Sequence, residues 1–375
     1  MVFYVAKGGP DACGRGCDSW IVVEGQIDSG AALRFRKFLQ RNKGRNLPMY
    51  FSSPGGNLDQ ALAMGAMLRE RPAVARVART VVQECGFEAQ DSEVCLKLKQ
   101  SGRELHGDLW TRGAMCNSAC PYLILGATTR EISPDVVLAV HTPKVILLAP
   151  GGTPQMRAAA TERGLERANR MLSDYFVKMG VAGGLLDLAK GVKFESLHVL
   201  TREEMIRFGI DRREFVETPW TFENNVRSLV YKWAMAKNDM GDSYRTLQWR
   251  LLCLNSGQFE LDFQRPIAAA PAFGAVSISS GGPKPLYLTH LPAKPPGFEI
   301  WGLRVTKASI QSLADLPQID ATETGFVADG SRVAHSEKLS TEGLGSALAR
   351  LLATCPPQPD MTSLQADTPR VSTAK

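Results

Sequence analysis

The chain has 375 residues, of which 44% are hydrophobic and 22% charged, and its formal net charge is +6. This length predicts two or three domains, and the composition excludes wholesale disorder. The basic excess is spread along the chain without a block of lysines or arginines, which argues against a nucleic-acid partner. No apolar stretch approaches the roughly 20 residues that a membrane helix needs, so no transmembrane segment is expected.

The first part of the chain alternates predicted strands and helices. Residues 18–27 and 47–52 have the apolar character of buried strands, and each is followed by a helical pattern. The second helix begins after a glycine turn at 53–56 and ends before Pro72. A further strand at 74–80 continues the alternation, which predicts an α/β fold.

The pattern breaks over about 81–110, which is polar and contains Cys85 and Cys95. We interpret this stretch as a surface insertion held by a disulfide. An ordinary helical hairpin is the alternative interpretation. In either case the segment departs from the strand and helix alternation around it.

After the insertion, Ser118 precedes a short apolar segment that is predicted to be helical, and a strand follows at 136–141. The longest helix is predicted at 156–179, with one broad apolar side. That side could form a homo-oligomer interface, or it could pack against its own domain. A last helix begins at Thr201, and the first domain is predicted to span 1–217.

The second part of the chain has a different sequence pattern. After one predicted helix at 226–237 come short alternating segments separated by Pro and Gly, which are typical of a small antiparallel sandwich or barrel. We therefore predict a β-rich C-terminal domain at 218–357. The tail at 358–375 is rich in Pro, Ser and Thr and is predicted to be disordered.

The cysteines fall into four pairs, which favours disulfides and an oxidising compartment. The pairs are Cys13 with Cys17, Cys85 with Cys95, Cys116 with Cys120, and Cys253 with Cys355. Zinc is the rival explanation for the two CxxxC spacings, but no HxxxH or CxxC pair accompanies them, so no metal and no cofactor are expected. The chain start has no pattern typical of a signal peptide. We expect an exported, periplasmic protein, with a cytoplasmic one as the alternative.

Three short motifs together predict acyl-transfer chemistry. Ser118 is a candidate nucleophile, His141 is a candidate general base, and the glycines of Ser53-Pro54-Gly55-Gly56 can present backbone N–H groups to an oxyanion. Each motif alone is more often structural. Their order and spacing carry the joint prediction.

In that order the motifs of residues 18–211 resemble the Clp protease proteolytic-subunit and crotonase superfamily. The similarity is greatest to exported Clp-like serine proteases related to signal peptide peptidase A. The resemblance rests on the glycine turn, on Ser118 at a helix start, on His141 at a strand end 23 residues later, and on Thr201 to Asp211. It implies ββα units with a parallel sheet and helices, followed by a smaller β-rich domain, and an ATPase-independent serine peptidase acting on peptides or proteins.

The resemblance also implies residue roles. Ser118 would be the nucleophile and His141 the general base, and the N–H groups of Gly56 and Ala119 would form the oxyanion hole. The acidic third member of the family falls near Leu197 in this chain. The polar candidates for its role are Glu195, His198 and, further off, Asp187, and a dyad or a different orienting residue is the alternative.

Two other functions remain open at this point. A relative of the same fold that has lost catalysis would serve as a binding or scaffold protein. An acyl-CoA hydratase or thioesterase of the crotonase type would use carboxylates, and no Glu lies near the glycine turns to act in that way.

Overall fold

The structure is a computed structural model that describes residues 1–145, 152–224, 227–238, 242–255, 257–267, 274–279, 284–292, 297–326 and 330–356. The predicted disordered tail at 358–375 lies outside the described residues. The chain divides into two compact units. Unit 1 is Met1–Thr218 with Met235–Tyr244, and unit 2 is Pro219–Ala234 with the described residues from Arg245 onward.

Unit 1 combines two sheets with helices. Its strands are β1 (Val2–Lys7), β2 (Ser19–Glu24), β3 (Met49–Ser52), β4 (Val74–Val77), β5 (Arg79–Val82), β6 (Leu105–Trp110), β7 (Met115–Asn117), β8 (Thr129–Glu131), β9 (Val137–Val140) and β10 (His198–Val199). Its helices are α1 (Ala31–Arg41), α2 (Leu58–Arg69), α3 (Glu93–Lys99), α4 (Ala119–Ile124), α5 (Pro154–Met179), α6 (Gly184–Lys190) and α7 (Arg202–Arg207), with a 3-10 turn at Gln83–Cys85.

The larger sheet of unit 1 is mixed. Its strand order is β5-β6-β1-β2-β3-β4-β8, and β2, β3, β4 and β8 run parallel to one another. The first strand, β1, is antiparallel to β2, and β5 is antiparallel to β6. The smaller sheet has the order β10-β9-β7, with β7 and β9 parallel. Helices α1, α2 and α4 contribute buried apolar side chains to the core on which both sheets rest.

The segment at about 81–110 contains α3 and ends in a strand of the large sheet. A disulfide joins Cys85 to Cys95, and both sulfur-bearing side chains are buried. The strand β6 then pairs in parallel with β1. The segment therefore contributes the strand β6 to the large sheet, although its sequence is mostly polar.

Helix α5 buries side chains only near its C-terminal end. Leu172, Tyr175, Phe176 and Met179 are buried, whereas its earlier residues are exposed or half-buried. The hydroxyl of Tyr175 donates to the carbonyl of Tyr122, 2.8 Å away, and fixes this end of α5 on α4. Packing within unit 1 thus accounts for the last turns of α5. The homo-oligomer interface on helix 156–179 stays a prediction.

The ten-stranded sheet is the largest in the described chain, and α8 (Lys307–Ala314) and α9 (Leu344–Thr354) accompany it. Its strands are β11 (Phe215–Glu217), β12 (Thr221–Asn224), β13 (Ser228–Lys237), β14 (Tyr244–Asn255), β15 (Gln258–Pro266), β16 (Gly274–Ser279), β17 (Leu286–Leu291), β18 (Phe298–Thr306), β19 (Gln318–Phe326) and β20 (Arg332–Ser340). Their order is β11-β13-β14-β15-β18-β17-β16-β19-β20, and β12 pairs with β13.

The prediction of a Clp/crotonase-like α/β fold with a smaller β-rich domain is wrong. Strands hold 37% of the described residues and helices 30%, and the ten-stranded sheet is antiparallel, barrel-like and nearly closed. A parallel α/β fold needs a crossover helix between successive strands, whereas antiparallel strands need only short turns. The sequence prediction gave too much weight to the βα alternation of residues 18–80.

The helix predicted at 226–237 is also wrong, because most of this segment forms β13. Buried and half-buried side chains alternate along Lys232–Lys237, which is the period of a strand. Val, Tyr and Trp also favour strands. The alternation is hard to see in the sequence because Trp233 and Met235 place apolar side chains at half-buried positions and Lys232 is buried.

Candidate active site

Two parallel strands bring Ser118 and His141 to the same edge of the smaller sheet. Strand β7 pairs with β9 so that Asn117 lies opposite Ala139, and the N–H of Ser118 donates to the carbonyl of Ala139 over 2.8 Å. Ser118 is the residue after β7, and His141 is the residue after β9. Because the C-terminal ends of parallel strands meet at one edge, the two residues become neighbours in space.

The backbone of Ser118 is strained. Its φ is 61° and its ψ is −110°, and among described non-glycine residues only Asp11 shares a positive φ. A positive φ is costly for a residue with a Cβ, and it persists only where the surroundings impose it. The side chain of Ser118 is half-buried, makes no capping hydrogen bond to α4, and has no hydrogen-bond partner in the described part of the chain. The turn therefore presents a free hydroxyl.

A disulfide between Cys116 and Cys120 brackets the strained serine. Both cysteines are fully buried, one in β7 and the other in α4. The crosslink ties the end of the strand to the first turn of the helix. It therefore restricts the backbone on both sides of Ser118.

The glycine turn is hydrogen-bonded directly to the strand that precedes Ser118. The N–H of Ser53 donates to the carbonyl of Met115 over 2.8 Å, and the N–H of Asn117 donates to the carbonyl of Ser53 over 3.0 Å. The hydroxyl of Ser53 accepts from the N–H of Gly55 at 3.0 Å, and Ser53 is 1% exposed. Ser53 is thus a structural residue that fixes the turn against β7.

Both glycines of the turn occupy positions that exclude a side chain. Gly55 has a φ of 98°, and a Cβ there would lie 2.5 Å from the carbonyl oxygen of Asn117 and 2.9 Å from the nitrogen of Ala119. Gly56 has a φ of 138°, and its Cβ would lie 2.3 Å from the carbonyl oxygen of Ile27. Only glycine permits this approach of the turn to the residues around Ser118.

Two backbone N–H groups beside the serine are not used by the fold. Among the described residues neither the N–H of Gly56 nor that of Ala119 donates a backbone hydrogen bond. The neighbouring groups are bonded: the carbonyl of Gly55 accepts from Ile27, and the N–H of Asn57 donates to Ile27. Ala119 is only 4% exposed, and buried donors are normally satisfied, so its free N–H suits an added acceptor. Gly56 is exposed, so its N–H is open to a ligand from solvent.

His141 is 9% exposed, and its tautomer follows from one hydrogen bond. Its Nδ1 lies 2.7 Å from the carbonyl oxygen of Thr142. A carbonyl oxygen only accepts, so Nδ1 carries the proton in this bond. In the neutral ring, Nε2 is then the unprotonated nitrogen, which is the atom that a general base uses.

An aromatic ring covers one side of His141. Phe194 meets the imidazole edge to face, with 4.9 Å between ring centroids and 82° between the planes. The ammonium of Lys144 lies 4.9 Å from the centroid of the same Phe194 ring. These contacts restrict rotation of the imidazole and add an apolar wall to the site.

The three candidates for an acidic or polar orienting residue do not contact Nδ1 of His141, although His198 lies opposite Val140 on the neighbouring strand. Glu195 is exposed. His198 pairs through Nε2 with Glu204 at 2.8 Å, and Asp187 pairs with Lys190 at 3.3 Å. Within the described chain none of the three is hydrogen-bonded to His141. The carbonyl of Thr142 accepts the hydrogen bond from Nδ1 that a carboxylate would accept in a triad.

A cleft of about 1250 Å³ in unit 1 adjoins the glycine turn. Ser53, Pro54 and Met115 contribute to its lining, and Met115 lies three residues before Ser118. The cleft is also lined by residues of β1, of β5, of α1 and of the disulfide-bonded segment after β5. Neither Ser118 nor His141 is among the lining residues, so the cleft meets the site through the glycine turn and β7.

The disulfide prediction is confirmed. Cys13–Cys17, Cys85–Cys95, Cys116–Cys120 and Cys253–Cys355 are all joined. Disulfides form and persist in oxidising environments, so the crosslinks indicate an exported protein. In the described residues no group of three or more His, Cys, Asp or Glu side chains could hold a metal ion. No described helix has both the length and the apolar character to cross a membrane.

Comparisons with known proteins assign no family. No protein-family model matches the chain, and no curated protein matches its sequence. The site must therefore be interpreted from its own geometry.

Sequence reasoning missed three features of the site. Gly55 approaches Ser118 more closely than Gly56 does, the carbonyl of Thr142 orients His141, and Phe194 packs on the imidazole. The double glycine was a signal for the first feature. A backbone carbonyl has no sequence signature, and the contact with Phe194 joins residues 53 positions apart.

Proposed function

We propose that this protein is a serine peptidase that uses Ser118 as nucleophile and His141 as general base. The proposal depends most on the position and tautomer of His141. Its Nδ1 is hydrogen-bonded to the carbonyl of Thr142, which leaves Nε2 as a proton acceptor. His141 follows β9, and β9 pairs with β7, the strand that precedes Ser118. The strained serine backbone and the two unbonded N–H groups support the same chemistry. The order of motifs that resembles exported Clp-like serine proteases adds support at the level of residues.

In the proposed reaction the Oγ of Ser118 attacks the carbonyl carbon of the scissile peptide bond. The hydroxyl proton passes to Nε2 of His141, and the N–H groups of Gly56 and Ala119 stabilise the oxyanion. The tetrahedral intermediate then expels the amine, which takes the proton from His141. Water, deprotonated by His141, finally hydrolyses the ester on Ser118.

The proposed mechanism uses a dyad rather than a triad. The carbonyl of Thr142 fixes the imidazole tautomer, a task that a carboxylate performs in other sites. A neutral carbonyl stabilises the imidazolium less than a carboxylate would. We therefore expect slow turnover relative to enzymes with a charged third member.

The disulfides and the proposed chemistry together suggest a periplasmic enzyme. Four crosslinks favour an oxidising compartment, and ATP is not available to enzymes outside the cytoplasm. We propose that the peptidase acts without an ATPase partner on peptides or unfolded segments of proteins. The role of unit 2 would be to bind substrate or a partner.

Hydrolysis of an unbiased peptide mixture tests the proposal. The oxidised protein should cleave a subset of peptides, and both Ser118→Ala and His141→Ala should reduce cleavage by at least about 10³-fold. Ser118→Cys distinguishes loss of the nucleophile from loss of the fold, because it retains a nucleophile at the same position. Equal cleavage by wild-type protein and Ser118→Ala would reject the assignment.

A binding or scaffold protein without catalysis is the second candidate function. The observation that favours it is the absence of a hydrogen bond on the Oγ of Ser118 within the described residues. Hydrogen bonds between nucleophile and base are often long in sites without substrate, so this observation alone does not decide the matter. Folded wild-type protein with no peptide cleavage and intact peptide binding would support the scaffold function.

A further inference from the structure

The cleft that Ser53, Pro54 and Met115 help to line carries an excess of positive charge. Its charged lining residues are Glu24, Asp28, Arg34, Lys37, Arg41, Arg79, Asp91 and Lys99. Five of these eight side chains are cationic and three are anionic. The whole lining belongs to unit 1.

Ion pairs within the fold neutralise only part of this charge. Arg34 pairs with Asp28, and Lys99 pairs with Glu24 at 2.6 Å. Lys37, Arg41 and Arg79 are exposed and have no ion-pair partner among the described residues. The remaining anion of the lining is Asp91. The cations that a ligand can reach therefore outnumber the anions by three to one.

The part of the lining that follows β5 is held in place rather than loosely attached. The segment closed by the Cys85–Cys95 disulfide supplies Asp91, and α3, which contains Cys95, supplies Lys99. The side chain of Lys99 is only 2% exposed, and its ammonium also donates to the carbonyl of Gln90 over 2.8 Å. The cleft thus exists before a ligand arrives, and its binding cost is low.

We propose that this cleft binds acidic stretches of polypeptide and so gives the peptidase a preference for substrates with Asp or Glu next to the cleavage site. The inference rests on the proposed peptidase only for the position of the scissile bond at Ser118. A volume of about 1250 Å³ exceeds the range of roughly 300–1000 Å³ that is usual for small-ligand pockets. A cleft of this size fits several residues of an extended chain.

The charge arrangement explains why an acidic segment is favoured. Lys37 and Arg41 are four residues apart on α1, so they lie on one face of the helix. Arg79 adds a third cation from β5. A walled cleft of one sign concentrates ligands of the opposite sign, and the effect weakens as salt screens it.

Peptide binding to the Ser118→Ala protein tests the inference without catalysis. Two fluorescent peptides of equal length are compared by anisotropy, one with Asp and Glu and the other with Asn and Gln at the same positions. The acidic peptide should bind about tenfold more tightly at low salt, and the difference should shrink at 0.5 M salt. Lys37→Glu with Arg41→Glu should remove the preference or reverse it.

Arg36→Glu provides the matched control, because Arg36 is an exposed cation of the same helix that does not line the cleft. This variant should keep at least half of the discrimination between the two peptides. Equal affinity for both peptides, or the same loss with Arg36→Glu as with the double variant Lys37→Glu with Arg41→Glu, would overturn the inference.

The two proposals fail in distinguishable ways. Labelling of wild-type Ser118 by a fluorophosphonate, with no preference for the acidic peptide, would support the peptidase and reject the acidic cleft. Charge-dependent binding without labelling would support the cleft and reject the peptidase.

Discussion

Gly55 and Ser118 approach each other so closely that a Cβ on Gly55 would lie 2.6 Å from the Cβ of Ser118. Real Cβ atoms do not come this near to other heavy atoms, so the turn and the serine can pack together only because residue 55 is glycine. The contact fixes the distance between the glycine turn and the N–H of Ala119. The geometry of the proposed oxyanion hole therefore depends on Gly55, although Gly56 supplies the hydrogen bond.

Gly55→Ala is expected to abolish activity. The methyl group would push the turn away from Asn117 and Ser118. The alanine would also have to adopt a φ of 98°, which is unfavourable for a residue with a Cβ. We expect at least a 100-fold decrease in the rate at which a fluorophosphonate labels Ser118, measured by gel fluorescence.

Gly44→Ala is the matched control for the backbone strain alone. Gly44 has a φ of 86°, and nothing lies within 4 Å of its added Cβ. This variant should lose about 1–2 kcal/mol of stability and label at the wild-type rate. Equal labelling of both alanine variants would show that the close contact at Gly55 has no role in the site.

Removal of the Cys116–Cys120 disulfide is expected to lower activity more than stability. Cys116→Ser with Cys120→Ser would release both sides of the strained Ser118 turn. The closed loop is short, so its loss should cost only about 2 kcal/mol through the unfolded state. We expect the labelling rate of Ser118 to fall at least tenfold.

The Cys13–Cys17 disulfide offers a control with the same separation of 4 residues. Cys13→Ser with Cys17→Ser should cost a similar amount of stability and leave labelling within about twofold of wild type. If both double variants label at the same rate, the disulfide around Ser118 does not brace the nucleophile.

The Cys253–Cys355 disulfide is expected to contribute most to stability. It joins β14 to the end of α9 over a separation of 102 residues. A loop of that length corresponds to about 4–5 kcal/mol of chain entropy. Cys253→Ser with Cys355→Ser should lower the unfolding midpoint of unit 2 in denaturant, measured by tryptophan fluorescence. A change below about 1 kcal/mol would contradict this expectation.

Asp211 is expected to make stability depend on acid pH. Burial disfavours its charge, but hydrogen bonds from Arg213 and Arg202 and from the N–H of Ile132 outweigh burial and lower the pKa of Asp211 to about 2. The carboxylate therefore stabilises the folded state above about pH 4, and this stabilisation is lost as the pH falls toward 2. Its size is about 2 kcal/mol. Asp211→Asn should remove that amount at pH 7 and flatten the acid limb of a stability curve.

Asp135, also in unit 1, is expected to make stability change with pH in the opposite direction to Asp211. Burial raises its pKa to about 6, against a hydrogen bond that the hydroxyl of Thr111 donates over 2.7 Å. The folded state therefore favours the protonated acid, and stability falls as the pH rises from about 4 through 6. Asp135→Asn should increase stability at pH 7. The same direction of change for Asp135→Asn and Asp211→Asn would show that one of the two pKa assignments is wrong.

The local elements of unit 1 could be predicted from the sequence better than its topology. The strands near 18–27, 47–52 and 136–141 were recognisable because apolar residues run without interruption, and the Pro-Gly-Gly turn has a clear signature. Strand β1 was not recognised, and its antiparallel pairing with β2 makes the sheet mixed. Pairing direction depends on contacts between distant residues, which one sequence does not reveal.

The site shows the same division between local and distant contacts. Ser118 and the double glycine were recognisable from local spacing. The partner of Nδ1 on His141 was not, because a carbonyl of residue 142 has no side-chain signature. The search for a carboxylate directed attention to Glu195, which is exposed. On β13, the apolar side chains of Trp233 and Met235 at half-buried positions obscured the period-two alternation that would have distinguished a strand from a helix.

Covalent trapping of Ser118 tests the central claim most directly. Oxidised wild-type protein is incubated with a fluorophosphonate, and the adduct is located by mass spectrometry of its peptides. We predict one adduct per chain on Ser118, none in Ser118→Ala, and labelling at least 100-fold slower in His141→Gln. An absence of adduct on folded, oxidised wild-type protein, or an adduct that persists in Ser118→Ala, would contradict the account.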